Sequence, residues 1–86
     1  MLTQYLNSPR TIKELGKEIR LVCDDYWGRV ISEDIALSQI KYWAQNESIK
    51  MFQGKELNPT LKIVIGKKRE LLLKKFLELA GFLVDN

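Results

Sequence analysis

Asn58-Pro59-Thr60-Leu61-Lys62-Ile63-Val64-Ile65-Gly66 is the stretch that decides the fold class of this 86-residue chain. Read one way, Asn58 caps a helix, Pro59 takes its first position, and Leu61, Val64 and Ile65 line two turns closed by Gly66. Read the other way, Lys62-Ile63-Val64-Ile65 is a β-branched run suited to a strand, and a short apolar run cannot be assigned by its period alone. A short strand around 61–65 stays open as the alternative. The helix is preferred because no other segment offers such a strand an obvious partner, which makes the chain all-α.

Downstream, Leu72, Leu73, Phe76, Leu77, Leu79, Ala80 and Leu83 recur on one side of a helix from Lys67 to about Ala80. Lys67, Lys68, Glu70, Lys74, Lys75 and Glu78 fall away from that side, and Gly81 is the expected C-terminal cap. Upstream, Ile12, Leu15, Ile19, Val22, Cys23, Tyr26 and Val30 have the three-and-four spacing of a buried helical face. This predicts a first helix from about 9 to 27, begun by Ser8-Pro9, with Thr11-Ile12-Lys13-Glu14 as a second candidate start and Gly28 as terminator. Gly16 lies inside it and costs about 1 kcal/mol of helix propensity unless another backbone packs closely there.

Ser32-Glu33-Asp34 opens a second helix with Ile35, Ala36, Ile40, Trp43 and Ala44 on its apolar side, ending near Asn46. Residues 46–58 lack a clean period and read as a connection returning Met51 or Phe52 to the core. The expected architecture is a single-domain helical bundle of three to four helices over residues 1–86, with residues 1–7 flexible. The first two helices pair antiparallel, and the last two pack across them.

The length leaves room for one core, since a chain of this size buries only about 60–65% of its unfolded surface. One cysteine and no histidine exclude an internal disulfide and the usual thiolate zinc sites. The histidine-activated Ser and Cys nucleophiles cannot be built either, so neither catalytic residues nor a cofactor are expected and the chain reads as non-enzymatic. Cys23, on an apolar face beside Asp24 and Asp25, reads as a small hydrophobe. The pairs Asp24-Asp25 and Glu33-Asp34 have no calcium-loop spacing, so no metal site is expected. No secretory signal pattern and no run of roughly 20 apolar residues is visible, and the expected location is the cytoplasm.

A net charge of +3 hides its own distribution. Residues 50–75 hold eight basic side chains against Glu56 and Glu70, while residues 1–49 hold six basic and seven acidic ones. Within that stretch Lys62, Lys67, Lys68, Arg69, Lys74 and Lys75 are the candidate phosphate contacts to DNA or RNA. Comparison with a helix-turn-helix is poor, because Lys62 stands where that motif wants a small residue and Lys75 where it wants an apolar one. Lipid attachment through Leu72, Phe76 and Leu79 is a minor reading, since a small domain needs those residues for its core. The competing functional class is a protein–protein module or homodimer whose interface uses Trp27, Tyr42, Phe82 and Leu83. The adjacent pairs Tyr26-Trp27 and Tyr42-Trp43 cannot all face one core, so Tyr26 and Trp43 belong inside and Trp27 and Tyr42 at the boundary. A blander role for Trp27 is to fold over Val30 and Ile31 and close the turn.

Three segments carry a family resemblance: Asp24-Asp25-Tyr26-Trp27, Ile31-Ser32-Glu33-Asp34, and Ile65-Gly66-Lys67-Lys68-Arg69-Glu70-Leu71-Leu72. Over about residues 10–77 the chain resembles small uncharacterised proteins of Gram-positive bacteria and their conjugative or phage-like elements. The resemblance implies no activity; what it implies is a setting in which small accessory proteins bind DNA or partner proteins.

Overall fold

A computed structural model of the chain describes residues 5–82. The order of elements is α1 (Ile12–Trp27), α2 (Glu33–Asn46), a single turn α3 (Ser48–Met51), strands β1 (Phe52–Gln53) and β2 (Glu56–Leu57), α4 (Pro59–Ile65) and α5 (Lys67–Leu79). The expected all-α bundle is what forms, and the deciding stretch is a helix. Asn58 Oδ1 accepts from the Thr60 and Leu61 amides, and Pro59 sits where its missing N–H costs nothing. The only strand pairing among the described residues lies earlier, in the connection: β1 and β2 form an antiparallel hairpin with Phe52 opposite Leu57 and Gln53 opposite Glu56. That connection returns Met51 and Leu57 to the core and leaves Phe52 half-buried.

Helix α1 starts at Ile12 rather than residue 9. Thr11 Oγ1 accepts from the Glu14 amide at 3.0 Å, and Glu14 Oε1 accepts from the Arg10 amide at 2.7 Å, so the second candidate start is the one used. The end of α1 differs in a more informative way. Gly28 keeps φ −81°, and the left-handed residue is Arg29 at φ 63°. The Val30 amide donates to Asp25 O and the Arg29 amide to Tyr26 O, the two bonds of a Schellman motif, with arginine in the position that glycine normally takes. This turn throws Val30, expected on the buried stripe, out to 68% exposure.

The core joins Leu15, Ile19, Val22 and Cys23 of α1 to Ile40 and Trp43 of α2, Leu61 and Ile65 of α4, and Leu73, Phe76 and Leu77 of α5. Burial of each large aliphatic side chain contributes roughly 1.5–3 kcal/mol before the cost of ordering it. The most extensive helix pairings are α1 with α4 and α2 with α5, more than the sequential pair α1 with α2. Gly16 explains the first: a β-carbon there would stand 2.5 Å from Val64 Cγ1, so α4 lies directly on α1 at this point. Trp43 is fully buried, and Tyr26 is half-buried with its ring 5.3 Å edge-on from Phe76. On α5 two side chains change places relative to expectation. Glu70 is buried and Leu79 is 54% exposed, because the helix turns Glu70, Leu73 and Leu77 inward as one i, i+3, i+7 row.

The segment ahead of α1, expected to be flexible through residue 7, is anchored from Tyr5 onward. Tyr5 is buried, its hydroxyl donates to Asp25 Oδ2 at 2.5 Å, and its ring stands edge-on to Trp43. Trp43 Nε1 donates to Leu6 O at 2.9 Å.

Candidate nucleic-acid interface

The basic residues read from the sequence do not act as one set. Arg69 reaches across to α1, donating from Nε to Asp24 Oδ1 at 3.0 Å, from Nη2 to Asp24 Oδ2 at 3.1 Å, and from Nη1 to Ile65 O at 3.2 Å. The hydrogen-bonded carboxylate raises the guanidinium above its already high ordinary pKa. Lys74 pairs with Glu70 at 3.0 Å. Burial opposes the Glu70 charge, but the Lys74 hydrogen bond and the positive field of Lys74, Lys67 and Lys62 outweigh it and hold the carboxyl below its ordinary range. Lys62 is half-buried within this group, whereas Lys67, Lys68 and Lys75 are exposed. Arg69 and Lys74 are thus ion-pair partners first, and the outward cations of α5 are Lys67, Lys68 and Lys75.

The structure brings one aromatic candidate to this cluster. Trp27, 44% exposed at the end of α1, has the Lys68 ammonium 6.0 Å from its ring centroid. Trp27 also borders a groove of about 530 Å³ at the α1–α2 corner, shared with Arg29, Val30, Ile31 and Ser32. Tyr42, 40% exposed, lies on a different groove with Ile35 and Gln39, and Phe82 on a third with Phe52 and Ile49. Leu83 lies outside the described residues. The three described aromatic candidates therefore border three grooves that share no residue.

Sequence reading passed over a second basic row. Lys13, Lys17 and Arg20 are all exposed, and their i, i+4, i+7 spacing puts them on one face of α1, with Trp27 one further heptad on. Three of the four acidic residues of α1 lie on another side and are occupied by the N-terminal segment. Glu14 accepts from the Arg10 amide, Glu18 from the Leu6 amide, and Asp25 from the Tyr5 hydroxyl. Asp24, the one carboxylate on the basic face, is the group that Arg69 neutralises. A count over residues 1–49 averages these opposed faces away; a helical wheel of residues 12–27 separates them.

Cys23 is fully buried, and burial pushes its thiol up to about 12, as a structural cysteine requires. Asp24 and Asp25, adjacent in sequence, serve different partners on different sides of α1. No described residues form a group of three or more Cys, Asp or Glu placed to hold a metal ion, and no described helix is long and apolar enough to cross a membrane.

Residues 6–78 match the model of a family described as a conserved hypothetical protein, and the chain belongs to that family. No curated protein and no solved structure matches the chain.

Proposed function

We propose that this chain is a non-enzymatic accessory protein that binds nucleic acid, working in the cytoplasm of Gram-positive bacteria that carry conjugative or phage-like elements. The setting comes from the sequence resemblance; the binding surface rests on one observation. Lys67 and Lys68 stand exposed at the start of α5, with the Lys68 ammonium over the half-exposed ring of Trp27. Lys75, two turns along the same outward face, extends the cationic strip. Cations with rotational freedom are suited to phosphates, and phosphate contacts supply affinity without sequence specificity. The outer face of α5 presents no Asn, Gln or Arg of the kind that reads base edges. A single aromatic interface for a protein partner has less support, because Trp27, Tyr42 and Phe82 are dispersed over three grooves.

Fluorescence anisotropy of labelled DNA and RNA, at about 50 and 150 mM salt, tests the reading. Binding that weakens steeply with salt and is abolished by Lys67→Glu, Lys68→Glu and Lys75→Glu together is the expected result. Binding that is absent at tens of micromolar, or indifferent to the three substitutions, overturns it.

A further inference from the structure

The corner at the end of α1 holds three features in one place. Trp27 keeps a large part of its side chain in solvent. Arg29 borders the same groove from a left-handed backbone position, next to Gly28, which would take that conformation at no cost but does not. Lys68 places a cation above the indole from a different helix. A left-handed arginine costs stability, and at this corner Arg29 and Trp27 line one groove. From Trp27 the exposed row Arg20, Lys17 and Lys13 runs back along α1, its one carboxylate already paired with Arg69. At 1.5 Å rise per residue, the row extends about 20 Å from the ring, a span of several nucleotides.

We propose that Trp27, flanked by Arg29 and Lys68, is a stacking platform for an unpaired base, and that the nucleic acid this chain binds is single-stranded, its backbone following Arg20, Lys17 and Lys13. The inference rests on the nucleic-acid reading above and adds the class of strand. In a duplex each base has both faces covered by its neighbours, so an indole beside phosphate-binding cations gains a stacking partner only from a base that is free. Aromatic stacking on a base is tolerant of sequence, so the platform needs no base-edge contact to hold a strand.

The test titrates the full chain with 12-mer oligo(dT), 12-mer oligo(U) and a 12-base-pair DNA duplex. It follows anisotropy together with intrinsic tryptophan fluorescence, in which the fully buried Trp43 supplies a constant background. One or both single strands should bind at least tenfold more tightly than the duplex, with quenching of the fluorescence. Trp27→Ala should lose roughly tenfold or more, the range expected for one base–aromatic stack, and Trp27→Phe should recover most of it. Arg29→Gly supplies a control independent of folding defects: it relieves the left-handed strain, so it should melt no lower than the parent while binding single strands several-fold more weakly. The two single strands separate DNA from RNA as the source of the base. Equal or tighter duplex binding, unaffected by Trp27→Ala, overturns the stacking platform and leaves the basic surface standing. No binding of any of the three overturns both.

Discussion

Arg69 of α5 holds Asp24 of α1 through paired contacts of 3.0 and 3.1 Å between guanidinium and carboxylate, the one charged bridge described between these two helices. The same arginine satisfies Ile65 O, an end carbonyl of α4. A side chain that a charge count assigns to phosphate is therefore a clamp on three helices, and it removes a negative charge from the face along which a strand would lie.

Asp24→Ala should separate those roles. It frees the guanidinium and deletes a carboxylate, so affinity for nucleic acid should rise several-fold at low salt. Stability should fall by only about 0.5–1 kcal/mol, because the pair is substantially exposed and screened. Anisotropy and urea denaturation on the same protein read both effects; a fall in affinity would refute the account.

Gly66 joins α4 to α5 at φ 86° and ψ 163°, a region open only to glycine. Its amide donates to Lys62 O and its carbonyl accepts from the Glu70 amide, so both helices end on this one residue. Gly66→Ala should cost about 1–3 kcal/mol although a β-carbon there meets nothing within 4 Å. Thermal unfolding followed by circular dichroism measures it.

Gly16 makes the opposite case, since its backbone is ordinary helix and the space above it is filled. Alanine would gain about 1 kcal/mol of helix propensity but must displace Val64, whose β-branched side chain has little freedom to move. The net expectation for Gly16→Ala is a loss of about 1–2 kcal/mol from overpacking. Combining it with Val64→Ala should recover part of that loss, a coupling that a double-mutant cycle detects.

Glu70 predicts a pH dependence. Its folded pKa is lowered, so its contribution is complete above the ordinary carboxylate range, where both folded and unfolded forms are ionised, and is lost as pH falls through the folded value. The melting temperatures of the parent and Glu70→Gln should differ most near pH 7 and converge as the pH approaches 3. A difference that grows on acidification would contradict the assignment.

Cys23 should be silent toward a disulfide reagent such as DTNB in the native state, as a buried thiol pushed up to about 12 has neither access nor thiolate character near neutral pH. Its modification should accelerate with urea in parallel with global unfolding, measured by absorbance at fixed reagent.

Sequence alone determined the helices whose ends carry their own chemistry. Ser32 Oγ accepts from the Ile35 amide, a cap legible because it bonds only three residues away. Asn58 with Pro59 signalled α4 in the same way, but the β-branched run after it left a strand open until the packed chain made it a helix. The inward placement of Trp43, Leu73, Phe76 and Cys23 was legible for a similar reason, since helical period converts spacing directly into a face. Tertiary structure decided the rest. The hairpin at Phe52–Leu57 is too short to leave an alternating pattern, and the left-handed turn fell on Arg29 although Gly28 stood beside it. The partition of cations into clamps and outward contacts was also invisible, because Asp24 and Arg69 are 45 residues apart and meet only when α5 docks on α1. Charge acts through distance in space, and a sequence supplies that distance only within one helix; the meeting of Lys68 with Trp27 was for the packed chain to decide.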